Sequence, residues 1–513
     1  MAIQTDNTLS QKTHYPTIII GAGPAGLTTA YQLTKAQTSS LVLEQAGQVG
    51  GIARTESYKG YRFDIGGHRF FTKLTAVQQF WEEILGQDLL KVSRLSRIYY
   101  NDIFFNYPLT LFDTLFKLGV VESIRIIGSY IKTQLKAQFS RSTKPETFED
   151  WVSYHFGGRL FQTFFRTYTE KVWGISCKEL QADWAAQRIQ GLSLTKAVVD
   201  TLIRNRDTKT LIKSFYYPRL GPGMLWERCH QKVIAQGGTV TLETSVKCLK
   251  HKNNRVQQVI AHTAGTQITF TGDHFVSSMP ITALVKVLDP PAPVPVLQAA
   301  KSLKYRDFLL VALILDEADV FPDNWIYIHS PEVHVGRIQN FKNWSIEMVP
   351  DPSKTCLGLE YFCNETDEIW HYSDASLVEI AIRELVTLGL LTKDSIIDGK
   401  VLRQRKAYPI YDRNYHRHLE TIQTYLATFE NLQTIGRNGM HRYNNQDHSM
   451  MAGILAAQNI LGDSHNLWQI NTEATYHEAG YTQAKSAVSP VSDNPSEERA
   501  KPILNVAYIS NAE

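Results

Sequence analysis

Apolar positions change their spacing several times along the chain, and each change predicts a different element. After a polar lead, Thr17-Ile18-Ile19-Ile20 is a short continuous apolar run that ends at a glycine, the pattern of a buried strand. A helix-like run follows, and then a second strand, Leu41-Val42-Leu43-Glu44. This strand–turn–helix–strand opening predicts a doubly wound sheet, so the fold class is α/β with a Rossmann-like domain. Residues 47–72 are glycine-rich and predict irregular backbone. Residues 76–217 lose the strand–helix rhythm. Stretches 110–139 and 147–169 carry Leu, Phe, Ile and Val at helical spacing, so the block reads as a helical insertion. The apolar residues of 111–137 are expected to pack inside that insertion; an apolar channel or a membrane contact is the lesser reading.

Strand patterns return at 239–242, 257–261 and 274–279, with a turn at Asn253-Asn254. A proline-rich boundary at 290–295 precedes further strands at 308–315 and 325–329. A helix is predicted over 376–391, a late strand over 431–435 and a last helix over 448–461. Residues 483–503, rich in Ser, Pro, Lys and Glu, predict a disordered tail.

Composition narrows the class. A chain of 513 residues with 43% apolar and 20% charged residues is an ordinary globular sequence, long enough for two or three domains. A formal net charge of +3 gives no case for a nucleic-acid partner, although local phosphate sites stay open. Cysteines 177, 229, 248, 356 and 363 are odd in number and form no C-x-x-C pair, so neither a disulfide framework nor a zinc site is indicated. A reducing, cytoplasmic compartment is expected. The polar residues 1–15 predict no secretory signal, and the longest apolar run, 308–315, is too short to span a bilayer. A peripheral contact stays open. Histidines 416, 418, 441 and 448 lack a ligand spacing, so no metal site is expected.

The chemistry begins at Gly21-Ala22-Gly23-Pro24-Ala25-Gly26, placed directly after a strand and before a helix. The first glycine makes the turn, the second admits a pyrophosphate to the backbone, and the third lets helix and strand pack closely. Ala25 keeps this turn small. The helix N-terminus supplies unpaired N–H groups for the phosphates. Glu44 ends the second strand about 20 residues on, where a carboxylate accepts ribose hydroxyls. Gly50 and Gly51 let backbone pass close to the cofactor, and Arg54 offers a charge-assisted bond to phosphate.

This arrangement resembles the FAD-binding region of the amine oxidase and protoporphyrinogen oxidase-like flavoproteins. Gly66-Gly67-His68 is similar to an element of the UDP-galactopyranose mutases within that superfamily. Glu170 to Gly174, Trp184 to Arg188, Trp325-x-Tyr327, Arg337, Asn343-Trp344-Ser345, Tyr408-Pro409 and the segment from Gly436 to Ser449 resemble the eukaryotic-type mutases in the same order. The resemblance implies an FAD-binding domain assembled from 15–75, 218–290 and 428–465, after a flexible N-terminus 1–14. It further implies a helical insertion 76–217, a mixed-sheet substrate domain 291–427 and a partly disordered extension 466–513.

The resemblance implies a flavoenzyme in which reduced flavin N5 attacks the anomeric carbon of a nucleotide sugar, giving redox-neutral pyranose/furanose interconversion. His68, Arg337 and Arg437 are then catalytic candidates. Tyr107, Arg188, Trp325, Tyr327, Tyr408 and Tyr443 are substrate candidates. Gly21, Gly23, Ala25, Gly26, Glu44, Gly50, Gly51, Arg54, Gly66, Gly67, Val246, Gly436, Asn445, Gln446, Asp447 and Ser449 are cofactor candidates. NAD(P)H is an external reductant to be expected for a mutase. Two departures bear on the substrate: Thr110 stands where the mutases carry an amide for uracil, and the asparagine that eukaryotic-type mutases carry before their Phe-x-Phe-Pro has no counterpart ahead of Phe215-Tyr216-Tyr217-Pro218. The alternatives are an FAD oxidoreductase on an apolar or amine substrate and a non-enzymatic flavin-binding protein.

Overall fold

The glycine-rich stretch 47–72 lies between two sheets, each drawn from distant parts of the chain. The structure, a computed structural model, describes residues 13–107, 109, 111–139, 145–182 and 214–471. Thr110, Trp184, Arg188 and the expected tail at 483–503 lie outside them.

The first sheet runs from Leu288–Asp289 through Thr244–Lys252, Arg255–Thr263 and Thr266–Ser277 to His14–Ile20, Ser40–Leu43 and Thr239–Thr241. Its centre is parallel: Ile18 pairs with Phe275 on one side and Leu41 on the other. Leu432–Thr434 joins in parallel beside Phe275–Ser277, which brings this late strand into the sheet that the first strand belongs to. Helices Pro24–Lys35, Gly223–Ala235 and Gln446–Ile460 share a core that includes Ile19, Leu27, Val42, Trp226 and Met450, all buried. This is the α/β architecture expected from the opening pattern.

The second sheet orders Ile396–Pro409, Tyr305–Leu315, Thr355–Cys363, Arg337–Asn340, Trp325–Ile328, Ser96–Tyr100 and Ile103–Asn106. It is mixed, with Ser96–Tyr100 parallel to Trp325–Ile328 and the other neighbours antiparallel. Strand Tyr305–Leu315 is apolar at almost every position because both of its faces are covered. Leu309, Val311 and Leu313 pack with Leu377, Ala381 and Leu385 of the helix Asp374–Thr387. Phe308, Leu310 and Ala312 turn to the other side, towards Phe63, Ile65, Phe341 and Trp344. The candidate site lies on that second side.

The segment 76–217 holds helices Leu111–Leu118, Val120–Phe139, Phe148–Phe156 and Thr167–Trp173, with a π-helical turn at Phe161–Arg166. Thr147 and Asp150 form a reciprocal cap at the start of Phe148–Phe156. Strands Leu89–Ser93, Ser96–Tyr100, Ile103–Asn106 and Ser214–Pro218 also fall in this segment, so it is not purely helical. They were hidden because each is short and gains its place by pairing with residues far along the chain: Leu89–Ser93 with Ser214–Pro218, and Ser96–Tyr100 with Trp325–Ile328. The apolar side of Val120–Phe139 does not pack inside the insertion as expected; much of it is open to solvent. Among the described residues no helix is long and apolar enough to cross a membrane.

Candidate functional site

The turn after the first strand is shaped by close backbone contacts. Gly21 N–H donates to the Leu43 carbonyl at 2.8 Å. A Cβ on Gly26 would sit 1.9 Å from the Gly21 oxygen, so only glycine fits there without moving the loop. Helix Pro24–Lys35 has Gly23 at its N-cap and no side-chain cap, which leaves first-turn N–H groups available to an anion. Gly50 N–H donates to the Ala22 carbonyl at 2.9 Å, and a Cβ on Gly51 would lie 3.3 Å from Gly23 Cα. The 50–51 loop therefore folds directly over the turn. Gly436 arrives from the far end of the chain, where an added Cβ would meet Ala25 Cβ at 3.1 Å.

Glu44 is buried at the end of its strand, its Oε2 accepting the Ala22 N–H at 2.7 Å and its Oε1 the Ala46 N–H at 2.9 Å. Both bonds hold the carboxylate beside the turn, and each oxygen keeps a further lone pair for a hydroxyl. Val246 is partly buried on Thr244–Lys252, whose first N–H donates to the Glu44 carbonyl at 2.7 Å. Arg54 is more engaged than its sequence role suggests. Its Nε donates to Glu56 at 2.6 Å, and its Nη1 to the Gly51 carbonyl at 2.9 Å and to Gln404 at 2.8 Å.

At the other end of the glycine-rich stretch, Gly66 and Gly67 lie against the second sheet. An added Cβ on Gly67 would meet Gln339 Nε2 at 2.9 Å, Trp344 at 3.6 Å and Arg337 Nη1 at 3.7 Å; one on Gly66 would meet Arg337 Nη2 at 3.7 Å and the Tyr408 hydroxyl at 3.8 Å. His68 is fixed at both ring nitrogens. Nε2 is 2.9 Å from the Ile65 carbonyl and must donate to it; Nδ1, 3.3 Å from Gln446 Nε2, then accepts. That neutral tautomer agrees with a pKa pushed down to about 4, first by burial and further by the charges of Arg437 and Arg337. Gln446 opens the helix Gln446–Ile460, with Asn445 as its N-cap and Asp447 and Ser449 buried in its first turn.

The Gln446 Oε1 is buried with no partner. An acceptor left orphaned in this way costs about 1–3 kcal/mol unless a donor arrives. The N–H of an isoalloxazine ring is such a donor. With the glycine turn, the open helix N-terminus and Glu44 at one end, and this acceptor beside His68 at the other, the residues present fit FAD.

The substrate candidates line up because of strand alternation. In Trp325-Ile326-Tyr327 and Arg337-Ile338-Gln339 the isoleucines turn into the core behind the sheet, so the flanking side chains share the opposite face. Tyr327 is paired directly with Arg337, and Arg337 with Glu360 on the next strand. Arg337 Nε donates to Glu360 Oε2 at 2.7 Å, with Nη2 at 2.6 Å, while Gln339 Nε2 donates to Glu360 Oε1 at 2.7 Å. Burial works against the Arg337 charge, but the Glu360 carboxylate outweighs it, and the guanidinium pKa is held above its usual value. Arg437 Nε donates to the Asn444 carbonyl at 2.9 Å and Nη1 to the Ala407 carbonyl at 3.1 Å. It lies 5.4 Å from the Tyr408 ring centre and 4.7 Å from that of Tyr443, and those two rings stack at 5.5 Å. Tyr107 packs on Tyr327 at 4.7 Å. Thus His68, Arg337, Arg437, Tyr107, Trp325, Tyr327, Tyr408 and Tyr443 come together, whereas Arg188 is outside the described residues.

Five further residues belong to this wall. Arg69 and Arg94 each lie 5.9 Å from the Trp325 ring, and Arg69 Nη1 is buried without a partner. Tyr168 contacts Tyr327 edge-on at 5.6 Å and stacks on His329 at 4.5 Å. Glu360 and Gln339 complete the Arg337 network. The signal for Glu360 was present: it is a lone acid in the apolar run Leu357-Gly358-Leu359-Glu360-Tyr361-Phe362, which implies a buried cationic partner. Among the described residues no group of His, Cys, Asp or Glu side chains could hold a metal ion.

Comparisons with known proteins agree with this geometry. The model of the flavin containing amine oxidoreductases matches residues 24–399. A reduced UDP-galactopyranose mutase structure superposes with a TM-score of 0.77 at 19% identity, covering 89% of this chain and 98% of that one. A putrescine oxidase bound to putrescine gives 0.60 at 16% identity, covering 88% and 99%. Thioredoxin reductase of Listeria monocytogenes is 34% identical over 86 residues, which is 16% of this chain and 27% of that protein. The match therefore spans about a quarter of that curated relative. The two structural likenesses establish a shared fold, and the family match extends over most of the chain. The protein belongs to the flavin containing amine oxidoreductase family, and its fold is that of a UDP-galactopyranose mutase-like FAD protein.

Proposed function

We propose that this FAD-dependent enzyme acts on a nucleotide sugar and interconverts its pyranose and furanose forms without net redox change. The observation that carries the reading is the charge of the wall beside Gly66-Gly67-His68. Arg69, Arg94, Arg337 and Arg437 converge there, and Glu360 is the carboxylate paired into that group. Among the described residues Arg437 makes no ion pair, its Nε and Nη1 being held by backbone carbonyls alone. An excess of guanidinium groups in a low-dielectric cavity suits a diphosphate, whose oxygens match planar paired donors. The same charge opposes an ammonium substrate, which disfavours an amine oxidation.

Reduced flavin, when bound, supplies an electron-rich ring nitrogen for an electrophilic sugar carbon. The protein's own part is binding and proton control. Arg337 and Arg437 orient the diphosphate and stabilise it as a leaving group. Tyr327, Tyr408 and Tyr443 supply hydroxyl donors to the same oxygens or to the sugar. His68, kept neutral and with Nε2–H committed to Ile65, fixes the Gly66-Gly67 backbone at the reactive end. NAD(P)H is the proposed external reductant, and the cytoplasm the proposed compartment.

The test is anaerobic. The purified flavoprotein is reduced with dithionite and given UDP-galactopyranose or UDP-galactofuranose, and the products are separated by chromatography. Interconversion that needs reduced flavin and consumes no reductant supports the mutase. Stoichiometric oxygen uptake with an amine or porphyrinogen, with no sugar isomerisation, refutes it.

A further inference from the structure

The helix Val120–Phe139 has two unlike sides. One is docked. Ile126 is buried, Glu122 accepts from the Arg159 guanidinium and Ser129 Oγ accepts the Arg159 N–H at 3.1 Å, while Gln134, at the border of the two sides, donates to the Tyr154 carbonyl at 2.8 Å. On the other side Val120, Ile124, Ile127, Ile131 and Leu135 fall within an arc of about 80° at 100° per residue. They are between 46% and 75% exposed, and Phe116 of the preceding helix is 89% exposed. Arg125, Lys132 and Lys136 are exposed and follow one edge of that arc. The helix has a single acid, Glu122, and it is turned to the docked side. The open face is therefore apolar with a cationic border and no exposed acid.

We propose that this face docks on an anionic lipid bilayer, with the helix lying in the plane of the headgroups. A contiguous open apolar stripe of this size marks an interaction surface. Its apolar residues enter the acyl boundary while the arginine and lysine stems reach up to lipid phosphates. Charge complementarity selects this occupant over a second copy of the chain. Two copies packed antiparallel on the stripe would bring both cationic borders to the same edge, where the one acid of each helix, Glu122, is already shared between Arg159 and Arg125 and leaves Lys132 and Lys136 without an offset on that helix. A bilayer rich in anionic lipid supplies the missing charge along the full length. Tyr107, which packs on Tyr327 in the candidate site, lies just ahead of these helices in sequence, so the docked face is tethered to the substrate wall.

The full-length flavoprotein is sedimented with vesicles of phosphatidylcholine and phosphatidylglycerol, and in parallel with phosphatidylcholine alone. It should pellet with the anionic vesicles and stay in solution with the neutral ones. Ile124→Asp with Ile131→Asp should abolish the binding. Lys132→Glu with Lys136→Glu, which leaves the apolar stripe intact, should lower partitioning by at least about tenfold. Unchanged flavin absorbance and melting midpoint show that each variant is folded, and the lysine pair keeps the test available if the aspartates unfold the helix. Failure to bind anionic vesicles overturns the proposal. So does a concentration-dependent dimer in sedimentation velocity that the aspartate variant dissolves, with no vesicle binding by the parent protein.

Discussion

The buried pair of Arg337 and Glu360 offers a quantitative test of how the site is held. Glu360→Gln keeps the size of the side chain and removes its charge. Arg337 can still donate Nε and Nη2 to the remaining amide oxygen, in place of the present bonds at 2.7 and 2.6 Å. The new amide NH2 then faces Gln339, which can turn its own amide over, because its Oε1 has no partner to lose. The substitution therefore isolates the charge. Breaking a buried pair costs about 3–5 kcal/mol, and the lower end applies because the Arg337 side chain keeps 16% exposure to the cavity while Glu360 has none. In a chain of 513 residues, with unfolding entropy near 2.1 cal/mol/K per residue, a loss of about 3 kcal/mol lowers the melting midpoint by only about 3 °C. Differential scanning fluorimetry resolves that shift, and a cycle with Arg337→Met and the double variant separates pair from context. The cycle should give a coupling of about 2 kcal/mol or more. A Glu360→Gln protein as stable as its parent, with additive single changes, would show that Arg337 is neutralised elsewhere and that the row across the sheet is not what positions it.

Three further outcomes follow from the same geometry. Gly26→Ala places a Cβ 1.9 Å from the Gly21 oxygen, so the turn must open; flavin recovered per protein should fall at least about tenfold, and full retention would remove the turn from the cofactor site. Glu44→Ala frees the Ala22 and Ala46 N–H groups and removes the ribose acceptor, so FAD should dissociate more readily on dilution, read from flavin fluorescence; unchanged release would discount that role. Burial depresses the pKa of His329 to about 3 and of His441 to about 4. Both are neutral in the folded protein, so their contribution is fully present above pH 6.5. It is lost as pH falls and the unfolded chain takes up protons that the fold refuses, at about 2 kcal/mol for each histidine by pH 5. His441→Gln should flatten the decline in chemical-denaturation midpoint between pH 7 and 5, and an unaltered slope would count against it.

Much of the cofactor end was legible in the sequence because the demands there are local. Gly26 must be glycine for a contact with Gly21 five residues earlier, Gly21 holds a left-handed φ of 99°, and the spacing to Glu44 is set by one helix and one strand. Residues 308–315 of the strand Tyr305–Leu315 were legible as a continuous apolar run, whereas its start at Tyr305-Arg306-Asp307 was not. Register was not legible. Arg337 and Glu360 could each be seen, but nothing in the chain says that they stand opposite one another until the ladder between Arg337–Asn340 and Thr355–Cys363 is formed. Arg69 directly follows Gly66-Gly67-His68, and nothing in the sequence around it assigns it a task. Tyr168 lay within an aromatic helical block that reads as packing, and its place beside Tyr327 depends on how that block meets the sheet.

The helix Val120–Phe139 shows the complementary limit. Periodicity locates an apolar stripe, but the same stripe serves a core, a partner or a bilayer, and only the burial of its neighbours decides. Here the contacts of Glu122 and Ser129 with Arg159 hold the opposite side down, so the stripe is turned outward by contacts that hydrophobicity alone would not predict. Turning the stripe inward would carry Glu122 away from the Arg159 guanidinium and Ser129 away from the Arg159 N–H. The Glu122–Arg159 pair therefore orients this helix, and the cations left along its open border are what commits that face to an anionic surface.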